Sequence, residues 1–210
     1  GQIASDYQTG VPREARVDPA FPFYGSDIER QTRYVLENLA LDKEPIIYRA
    51  GQHLTVLLEV DGVSHRRCYS FSTSPAAGGS AAITVKCIPG GVVSGFLAEN
   101  IEPGHTLRIA EPSGVFTIPT EPDTARRFVF VAGGVGITPL ISLAETILRM
   151  EPRSEVTLLY GSRSEDEIIF RRRLATLTAE FPQALRVVHA VDEAPEGWTG
   201  VTGCLDGSRV

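Results

Sequence analysis

Residues 128–139 read Phe-Val-Phe-Val-Ala-Gly-Gly-Val-Gly-Ile-Thr-Pro, and this stretch decides how the second half of the chain folds. The run Phe128–Val131 is continuously apolar, which is typical of a parallel strand buried on both faces. Glycines follow it, and apolar residues then recur with helical spacing from Leu140 to Met150. The pattern predicts a strand, a tight glycine turn and a helix.

The glycine turn Gly133–Gly136 carries the chemical signal of this stretch. Small glycines let a ligand approach the backbone, and the helix start offers free N–H groups and a partial positive charge to a pyrophosphate. We expect Thr138 to cap the first helical turn and Pro139 to occupy the first helical position. The turn lacks the G-x-G-x-x-G spacing of the standard dinucleotide fingerprint, so a tight turn without a ligand is the alternative.

The segments after this turn alternate between strand and helix. Val156–Tyr160 and Leu185–Val191 are predicted as buried strands, and Glu165–Phe181 between them as a helix. This alternation implies a parallel sheet with right-handed crossovers. We interpret Arg171-Arg172-Arg173 as a solvated helix face, with a partner-docking patch as the alternative.

The residues before the glycine turn have the pattern of an antiparallel β structure. Asp61-Gly62 separates two alternating runs and is a strong signal for a two-residue hairpin turn. Short strands at such spacing indicate a small closed barrel or sandwich. The predicted strands are Gln31–Leu39, His53–Val60, Val63–Phe71, Ala81–Ile88 and Thr106–Ala110.

These patterns divide the chain into three regions. Residues 1–26 show no period and are expected to be an irregular extension on the surface. Residues 27–122 would form the β domain and residues 123–210 the α/β domain. The boundary lies in Thr120-Glu121-Pro122-Asp123, a polar joint that contains proline.

Composition excludes several classes of protein. The net charge of the 210 residues is -6, whereas a domain that binds nucleic acid normally carries a positive charge. The three cysteines, Cys68, Cys87 and Cys204, are widely spaced, so no disulfide framework, iron–sulfur cluster or other metal site is expected. No apolar run approaches the roughly 20 residues of a membrane span, and we see no signal peptide. We expect a cytoplasmic protein.

One segment of the β domain suits a flat ligand that carries a phosphate. In Arg67-Cys68-Tyr69-Ser70, strand alternation places Arg67 and Tyr69 on one face. Arg67 would pair with the phosphate, Tyr69 would stack on the ring, and Ser70 would hydrogen-bond a ring nitrogen. An ordinary exposed strand face is the alternative.

A second segment of the β domain suits a phosphate group. Val85-Lys86-Cys87 is followed by the turn Gly90-Gly91 and by a short helix predicted from Ser94 to Glu99. The turn and the helix start present backbone N–H groups, and the Ser94 hydroxyl adds another donor. A loop followed by an ordinary helix cap explains the same residues without a ligand.

Taken in order and spacing, these segments resemble the ferredoxin–NADP reductase superfamily. The resemblance covers residues from about 30 to 205 and is closest to reductase components of bacterial multicomponent oxygenases and to the reductase half of flavohaemoglobins. It implies a six-stranded antiparallel Greek-key flavin barrel followed by a Rossmann-like, parallel-sheet nicotinamide domain. The segments are R-C-Y-S (67–70), V-K-C (85–87), G-G-V-V-S (90–94), P-S-G-V-F (112–116), A-G-G-V-G-I-T-P (132–139) and L-Y-G-S-R (159–163).

The resemblance also implies cofactor roles for residues in these segments. Tyr69 and Ser70 would act in catalysis, and a pyrophosphate site suggests FAD more than FMN. The residues that would hold FAD are Arg67, Cys68, Tyr69, Ser70, Val85, Lys86, Cys87, Gly91, Val92, Val93 and Ser94. Those that would bind NADH or NADPH are Gly133, Gly134, Gly136, Ile137, Thr138, Ser162 and Arg163.

The choice between NADH and NADPH rests on charges of opposite sign. Arg163 would pair with a 2′-phosphate and favour NADPH. The carboxylates of Asp192-Glu193 follow the third predicted strand, where they would repel that phosphate and suit a free ribose hydroxyl. We lean towards NADH.

The implied function is electron transfer from NAD(P)H through FAD to a one-electron acceptor. The acceptor would be a two-iron ferredoxin domain, fused or separate, or an oxygenase component. A flavin- or haem-domain reductase and a non-catalytic flavin-binding module are the alternatives. In the family the nicotinamide domain continues with a strand carrying Cys-Gly-Pro. Leu205 follows Cys204 here, so we expect that domain to be incomplete at Val210.

Overall fold

Strands dominate the first half of the chain, and strands alternate with helices in the second half. The computed structural model describes residues 13–17, 35–37, 39–41, 44–78, 81–102 and 104–204. The helices of this part are α1 (Val92–Asn100), α2 (Ile137–Met150) and α3 (Arg171–Glu180). Its strands are β1 (Arg13–Val17), β2 (Val35–Glu37), β3 (Leu39–Leu41), β4 (Glu44–Pro45), β5 (His53–Val60), β6 (Val63–Ser70), β7 (Ala82–Thr84), β8 (Thr106–Ser113), β9 (Arg127–Gly133), β10 (Glu155–Ser164), β11 (Leu185–Glu193) and β12 (Val201–Thr202).

The first half is an antiparallel β domain. Six strands pair in the order β4-β3-β1-β8-β5-β6, and β2 pairs with β7. Asp61 (φ 53°) and Gly62 (φ 75°) both have positive φ, as a two-residue turn of type I′ requires, so the predicted hairpin is confirmed. Leu54, Phe71 and Leu97 are fully buried in the core of this half.

The second half is a parallel sheet with strand order β12-β11-β10-β9. Helix α2 presents Ile137, Ile141 and Ile147 to the core, where Tyr160 of β10 is also fully buried. An antiparallel domain followed by a Rossmann-like parallel domain confirms the predicted fold class. None of the helices in the described residues has the length and apolar character that a membrane span requires.

The two halves meet at a close approach of two backbones. Ala50 belongs to the core of the parallel half, although it lies in the turn just before β5. The next residue, Gly51, has φ +87°, and a Cβ built there would lie 1.9 Å from the Phe116 carbonyl oxygen. The same Cβ would lie 3.3 Å from Leu143 Cδ1 in α2. A glycine is therefore required where the turn, the loop after β8 and helix α2 come together.

The prediction that residues 1–26 are irregular is wrong for Arg13–Val17. These residues form β1, which pairs with β3 on one side and with β8 on the other. The segment is short and mixes charged with apolar residues, so its strand character depends on pairing with residues far along the chain. The rest of 1–26 lies outside the described residues.

Of the predicted strands of the β domain, one is only partly described and another is shorter than expected. For Gln31–Leu39, the described part holds β2 and the start of β3, while residues 31–34 and 38 lie outside it. For Ala81–Ile88, strand β7 is limited to Ala82–Thr84, which pair with β2. The helix predicted from Ser94 to Glu99 begins earlier, at Val92.

The second half departs from expectation in two places. Strand β9 is not buried on both faces, because Val129 and Val131 are 63% and 60% exposed while Phe130 packs under α2. The helix predicted for Glu165–Phe181 is interrupted, because Phe170 adopts φ 62° and α3 starts only after it. A left-handed residue cannot continue a right-handed helix.

The prediction that Arg171-Arg172-Arg173 is a solvated face is wrong for Arg173. Its guanidinium forms an ion pair with the buried carboxylate of Glu145 in α2. It also donates a hydrogen bond to the Ser72 carbonyl of the β domain. The residues that pair with Arg173 are distant in sequence, so the run of arginines alone does not reveal them.

Candidate functional site

The glycine turn opens onto free space. After β9 the backbone makes one tight turn over Gly134–Gly136, and Gly134 has φ +49°. In the described residues, a Cβ placed on Gly133, Gly134 or Gly136 would meet no atom within 4 Å. These glycines are not enforced by crowding from the protein, so the open side of the turn is available to a ligand.

A buried tyrosine holds this turn in place. The Tyr160 hydroxyl donates to the Gly134 carbonyl at 3.1 Å and accepts the Ile169 N–H at 3.2 Å. Burial raises the pKa of Tyr160 to about 12, so the hydroxyl stays protonated. The neighbouring Ser162 hydroxyl and the Ile169 N–H oppose this rise in pKa.

The expected capping role of Thr138 is wrong. Helix α2 begins at Ile137 with Gly136 at the cap position, and the Thr138 hydroxyl donates to the Val135 carbonyl at 3.0 Å. Thr138 already lies inside the first turn, where its hydroxyl can reach a carbonyl three residues earlier. Pro139 is the third helical residue rather than the first. The side chains of Ile137 and Thr138 are buried, so they would meet a ligand through backbone groups.

A cleft of about 660 Å³ lies at the carboxyl ends of β9, β10 and β11. Ligands of open α/β sheets bind at this edge. Ser162 is buried at this cleft, and its Oγ has no hydrogen-bond partner in the described residues. A buried hydroxyl without a partner is costly, so Ser162 fits a ligand that completes its bonding. The lining residues are Lys86, Val131, Ala132, Gly133, Gly134, Gly161, Ser162, Arg163, Glu167, Asp192, Gly203 and Cys204.

Both cations of the described cleft are paired with carboxylates. Lys86 Nζ lies 3.1 Å from Glu167 Oε2, and Arg163 Nε lies 3.1 Å from Glu193 Oε1. Asp192 adds a further carboxylate to the wall. The hydrogen bond that Arg163 donates to Glu193 raises the pKa of Arg163. The cleft therefore offers little uncompensated positive charge.

The strand predicted to hold a flavin is only partly supported by the protein. Arg67 is exposed, and its Nη1 donates to the Arg66 carbonyl at 2.8 Å. Cys68 is exposed, with its Sγ 3.3 Å from Thr55 Oγ1. Tyr69 is half-buried against the core of the β domain, and burial raises its pKa while Arg67 opposes the rise. Ser70 is half-buried at the end of β6.

The turn before α1 leaves little room for a side chain at Gly91. A Cβ on Gly91 would lie 2.5 Å from Ser94 Oγ, so a side chain there would collide. The Ser94 hydroxyl accepts the Ile88 N–H at 3.2 Å and contacts the Gly91 carbonyl at 3.5 Å. Gly91 occupies the cap position of α1 and has no side chain, so the first amides of the helix are left to other partners.

The remaining residues predicted for the flavin differ in exposure. Val85 and Val93 are buried in the core of the β domain, where Tyr69 packs against the same cluster. Val85 can therefore reach a ligand only through its backbone. Val92 is 52% exposed and Cys87 is half-buried.

The structure connects the segment after Ser70 to the helix that follows the glycine turn. Ser142 in α2 donates its hydroxyl to the Thr73 carbonyl at 2.5 Å, three residues after Ser70. The hydroxyls of Ser74 and Thr146 lie 2.7 Å apart. Lys86 also lines the cleft, whereas the described lining residues include none from Arg67–Ser70 or α1. The predicted flavin strand, Arg67–Ser70, is thus followed within three residues by a segment that is hydrogen-bonded to helix α2.

Sequence reasoning missed several residues at this site. The Tyr160 hydroxyl supports the glycine turn, and Glu167 holds Lys86. Cys204 lines the cleft with its Sγ 3.4 Å from Asp192 Oδ1. A tyrosine at the end of the predicted strand Val156–Tyr160 is a weak signal of such a role, and β10 continues past it to Ser164. Lys86 and Glu167 belong to different halves and lie far apart in sequence, so no local pattern reveals the pair.

Comparison with known families identifies both halves of the chain. An oxidoreductase FAD-binding domain model matches residues 26–118, and an oxidoreductase NAD-binding domain model matches residues 130–208. The chain therefore contains an FAD-binding and an NAD-binding oxidoreductase domain. It belongs to the ferredoxin–NADP reductase superfamily, as its sequence motifs predict.

Individual relatives agree with this assignment. The chain is 34% identical over 168 residues to one component of the 1,2-phenylacetyl-CoA epoxidase of Escherichia coli strain K12, covering 80% of the chain and 47% of that protein. It is 32% identical to a glycine betaine monooxygenase reductase subunit of Pseudomonas aeruginosa, covering 78% of the chain and 45% of that protein. The chain thus spans about half the length of these curated relatives.

A solved structure shows the same fold. The cytochrome P450 reductase GcoB of Amycolatopsis superposes with a TM-score of 0.74 at 28% identity. The match covers 93% of this chain and 56% of that one.

Proposed function

We propose that the chain passes electrons from NAD(P)H through FAD to a one-electron acceptor. The observation that carries the proposal is the cleft at the glycine turn, which Lys86 of the β domain (the flavin half) helps to line. FAD would supply the chemistry, because a flavin accepts a hydride and releases electrons one at a time. The task of the protein is to hold both cofactors in register.

On this proposal the flavin domain spans residues 27–122 and the nicotinamide domain residues 123–210. Arg67 pairs with a phosphate, Tyr69 covers the flavin ring, and Ser70 donates its hydroxyl to a ring nitrogen. The amides at the start of α1 and the turn at Gly91 receive the pyrophosphate. The open backbone of Gly133–Gly136 receives the nicotinamide dinucleotide, and Ser162 donates its unpartnered hydroxyl to it.

We further propose that NADH is the preferred donor. Arg163 is already paired with Glu193, and Asp192 adds negative charge to the same wall of the cleft. A 2′-phosphate would approach these carboxylates without a free cation in the described cleft to receive it. A ribose hydroxyl, in contrast, can donate a hydrogen bond to a carboxylate.

The acceptor we propose is a two-iron ferredoxin domain, fused or separate, or an oxygenase component. Support comes from the relatives in Escherichia coli and Pseudomonas aeruginosa, which are a component of an epoxidase and the reductase of a monooxygenase. We also propose that the protein works in the cytoplasm.

Anaerobic titration with NADH and NADPH in parallel tests this function. The purified protein should be yellow, or become yellow with added FAD, and the flavin absorbance should bleach when the nicotinamide nucleotide is added. A yellow protein that does not bleach with either nucleotide would support a non-catalytic flavin-binding module instead. A protein that binds no FAD would contradict both functions.

Ser70 is the residue through which we test the alignment of the flavin. Ser70→Ala should slow flavin reduction about tenfold while FAD stays bound, because one hydrogen bond to the reacting ring is lost. Stopped-flow reduction under single-turnover conditions gives the rate. Ser64→Ala changes an exposed serine on the same strand and serves as the control. Equal reduction rates in the two variants would remove Ser70 from the mechanism.

A further inference from the structure

A buried carboxylate lies between the two halves of the molecule. The Glu145 side chain in α2 is only 7% exposed. Its Oε1 accepts hydrogen bonds from Arg149 Nε at 3.1 Å and Nη2 at 2.9 Å, and its Oε2 accepts one from Arg173 Nη2 at 2.5 Å. A buried charge is costly unless it is paired, and Glu145 is paired on both oxygens. The carboxylate therefore fixes the direction of two arginines.

The two arginines reach different parts of the protein. Arg149 continues to Glu180 at the end of α3, so it connects two helices of the same half. Arg173 continues to the Ser72 carbonyl at 2.6 Å, so it crosses to the flavin half. Both side chains are 29% exposed. Both arginines lie in the parallel half, which is called the nucleotide half below. They differ mainly in that only Arg173 bonds to a residue outside it.

Helix α2 makes further contacts with the same segment of the flavin half. Ser142 donates to the Thr73 carbonyl, and the Thr146 hydroxyl bonds that of Ser74. From the other side, the Tyr48 hydroxyl donates to the Thr73 carbonyl at 2.9 Å. Residues 72, 73 and 74 thus each form a hydrogen bond to α2 or α3, so their position relative to these helices is fixed.

We propose that Arg173, oriented by Glu145, is a positioning residue that sets how closely the nicotinamide approaches the flavin. The inference rests on the proposed function. Ser72 lies two residues after Ser70, which is about 7 Å along an extended strand. Glu145 lies eight residues after Ile137, which is about 12 Å along the helix that the glycine turn opens. The bridge therefore joins the two cofactor segments by a short and rigid route.

Hydride transfer is sensitive to such a route. The reacting atoms must approach to about 3–3.5 Å, and a displacement of about 1 Å can lower the rate about 100-fold. Loss of the bridge should act on the rate of transfer rather than on the binding of either cofactor, because the described contacts of Arg173 include neither predicted cofactor segment.

The test compares Arg173→Leu with Arg149→Leu in the FAD-loaded protein. Each change removes one arginine from Glu145, but only the first cuts the bridge to Ser72. Arg173→Leu should lower the single-turnover rate of flavin reduction about tenfold, with FAD content and KM for the nucleotide unchanged. Arg149→Leu should keep the reduction rate within about twofold of the parent. An equal loss of rate in both variants would overturn the proposal.

A milder variant covers the case in which Arg173→Leu does not fold. Arg173→Lys keeps the charge, but one ammonium group cannot reproduce the guanidinium fork that serves Glu145 and Ser72 together. Its reduction rate should lie between those of the parent and of a full loss of the bridge. A parental rate in Arg173→Lys would overturn the proposal.

Hydrogen–deuterium exchange provides a readout that needs no nicotinamide nucleotide. In Arg173→Leu or Arg173→Lys, amides of residues 72–78 should exchange several-fold faster than in the parent, while those of Arg149→Leu should not. Unchanged exchange in the Arg173 variants would show that the bridge positions nothing. If the parent itself is not reduced by NADH or NADPH, the proposed function fails, and the exchange result alone still decides whether Arg173 holds the two halves in register.

Discussion

The glycine turn and the flavin strand differ in how much support each receives from the protein. At the turn, the Gly134 carbonyl is bound by Tyr160, a side chain with no exposed surface. Along the strand, Arg67 and Cys68 are exposed and Tyr69 is half-buried. If these segments bind the cofactors as proposed, the nucleotide site is formed before its ligand arrives, whereas the flavin site is completed by the flavin. A preformed site spends less of its binding energy on ordering.

The largest effect is expected where the ligand is most needed, at Arg67. Arg67→Ala should weaken FAD binding about 100-fold, because a charge-assisted hydrogen bond to a phosphate is lost at a position with little other support. Fluorescence titration of the FAD-free protein measures the change in Kd. Arg66→Ala removes the neighbouring exposed arginine, which strand alternation directs to the other face. A similar loss of affinity in both variants would show that Arg67 acts only through its positive charge and not through a specific bond to the phosphate.

The self-supporting character of the nucleotide half is tested next at Glu151. Its side chain is fully buried and accepts hydrogen bonds from Arg126, from the Glu121 N–H at 2.9 Å and from the Ser154 hydroxyl at 2.8 Å. Glu151→Gln should lower Tm by about 5 °C, because charge-assisted bonds in a buried network are weakened. The control is Glu155→Gln, which alters the exposed pair with Arg127. Equal Tm shifts would show that the network adds nothing specific.

The effect of Glu151 should depend on pH. Burial opposes its ionisation, but the bonds from Arg126, the Glu121 N–H and Ser154 outweigh burial and hold the pKa of Glu151 below its ordinary value of 4.5. Since the pKa is lower in the folded state, the stabilisation is present above pH 4.5 and is lost as the pH falls through the folded-state value. The difference in Tm between parent and Glu151→Gln should therefore shrink in acid. A constant difference across this range would contradict the assignment.

A smaller effect is expected at Tyr160. Tyr160→Phe removes the donor to Gly134 and the acceptor for the buried Ile169 N–H. The KM for the nucleotide should rise several-fold, since the turn loses the bond that fixes it. FAD affinity should stay at the parental value and acts as the internal control. If Tyr160→Phe weakens FAD as much as the nucleotide, the two sites are not supported independently.

The smallest effect concerns the charges at the mouth of the cleft. Glu193→Ala frees Arg163, so kcat/KM for NADPH should rise about fivefold relative to NADH, a modest change because the pair is exposed. Glu196→Ala serves as the control, because it removes an exposed carboxylate in the loop after β11 that has no bond to Arg163 among the described contacts. A ratio that already favours NADPH strongly in the parent would contradict the proposed preference.

Much of the fold could be predicted because it depends on residues that are close together in sequence. The hairpin at Asp61-Gly62 depends on two residues that tolerate positive φ, and both are adjacent in sequence. Helix α2 shows its apolar spacing plainly, and the glycine turn before it is contiguous. The order of such segments also carried the family assignment. At the site, this sufficed to name the segments but not to assign the roles of individual residues, which stay predictions.

The features that were missed depend on contacts between distant residues. Strand β1 is defined by pairing with β3 and β8, and its own five residues carry no clear alternation. The sequence alone predicts Arg173 as part of a solvated run, whereas in the structure it bonds to Glu145 and Ser72. The break at Phe170 comes from a left-handed residue that no propensity favours. Each of these is decided by tertiary structure.

Gly51 makes the junction between the halves intolerant of variation. Even alanine would place a carbon against the Phe116 carbonyl and near Leu143, and the positive φ adds strain of its own. Such a change would wedge the loop after β8 away from α2 and tilt one domain on the other. In a library that samples every position, residue 51 should therefore behave like a catalytic position, although it contributes no functional group to chemistry.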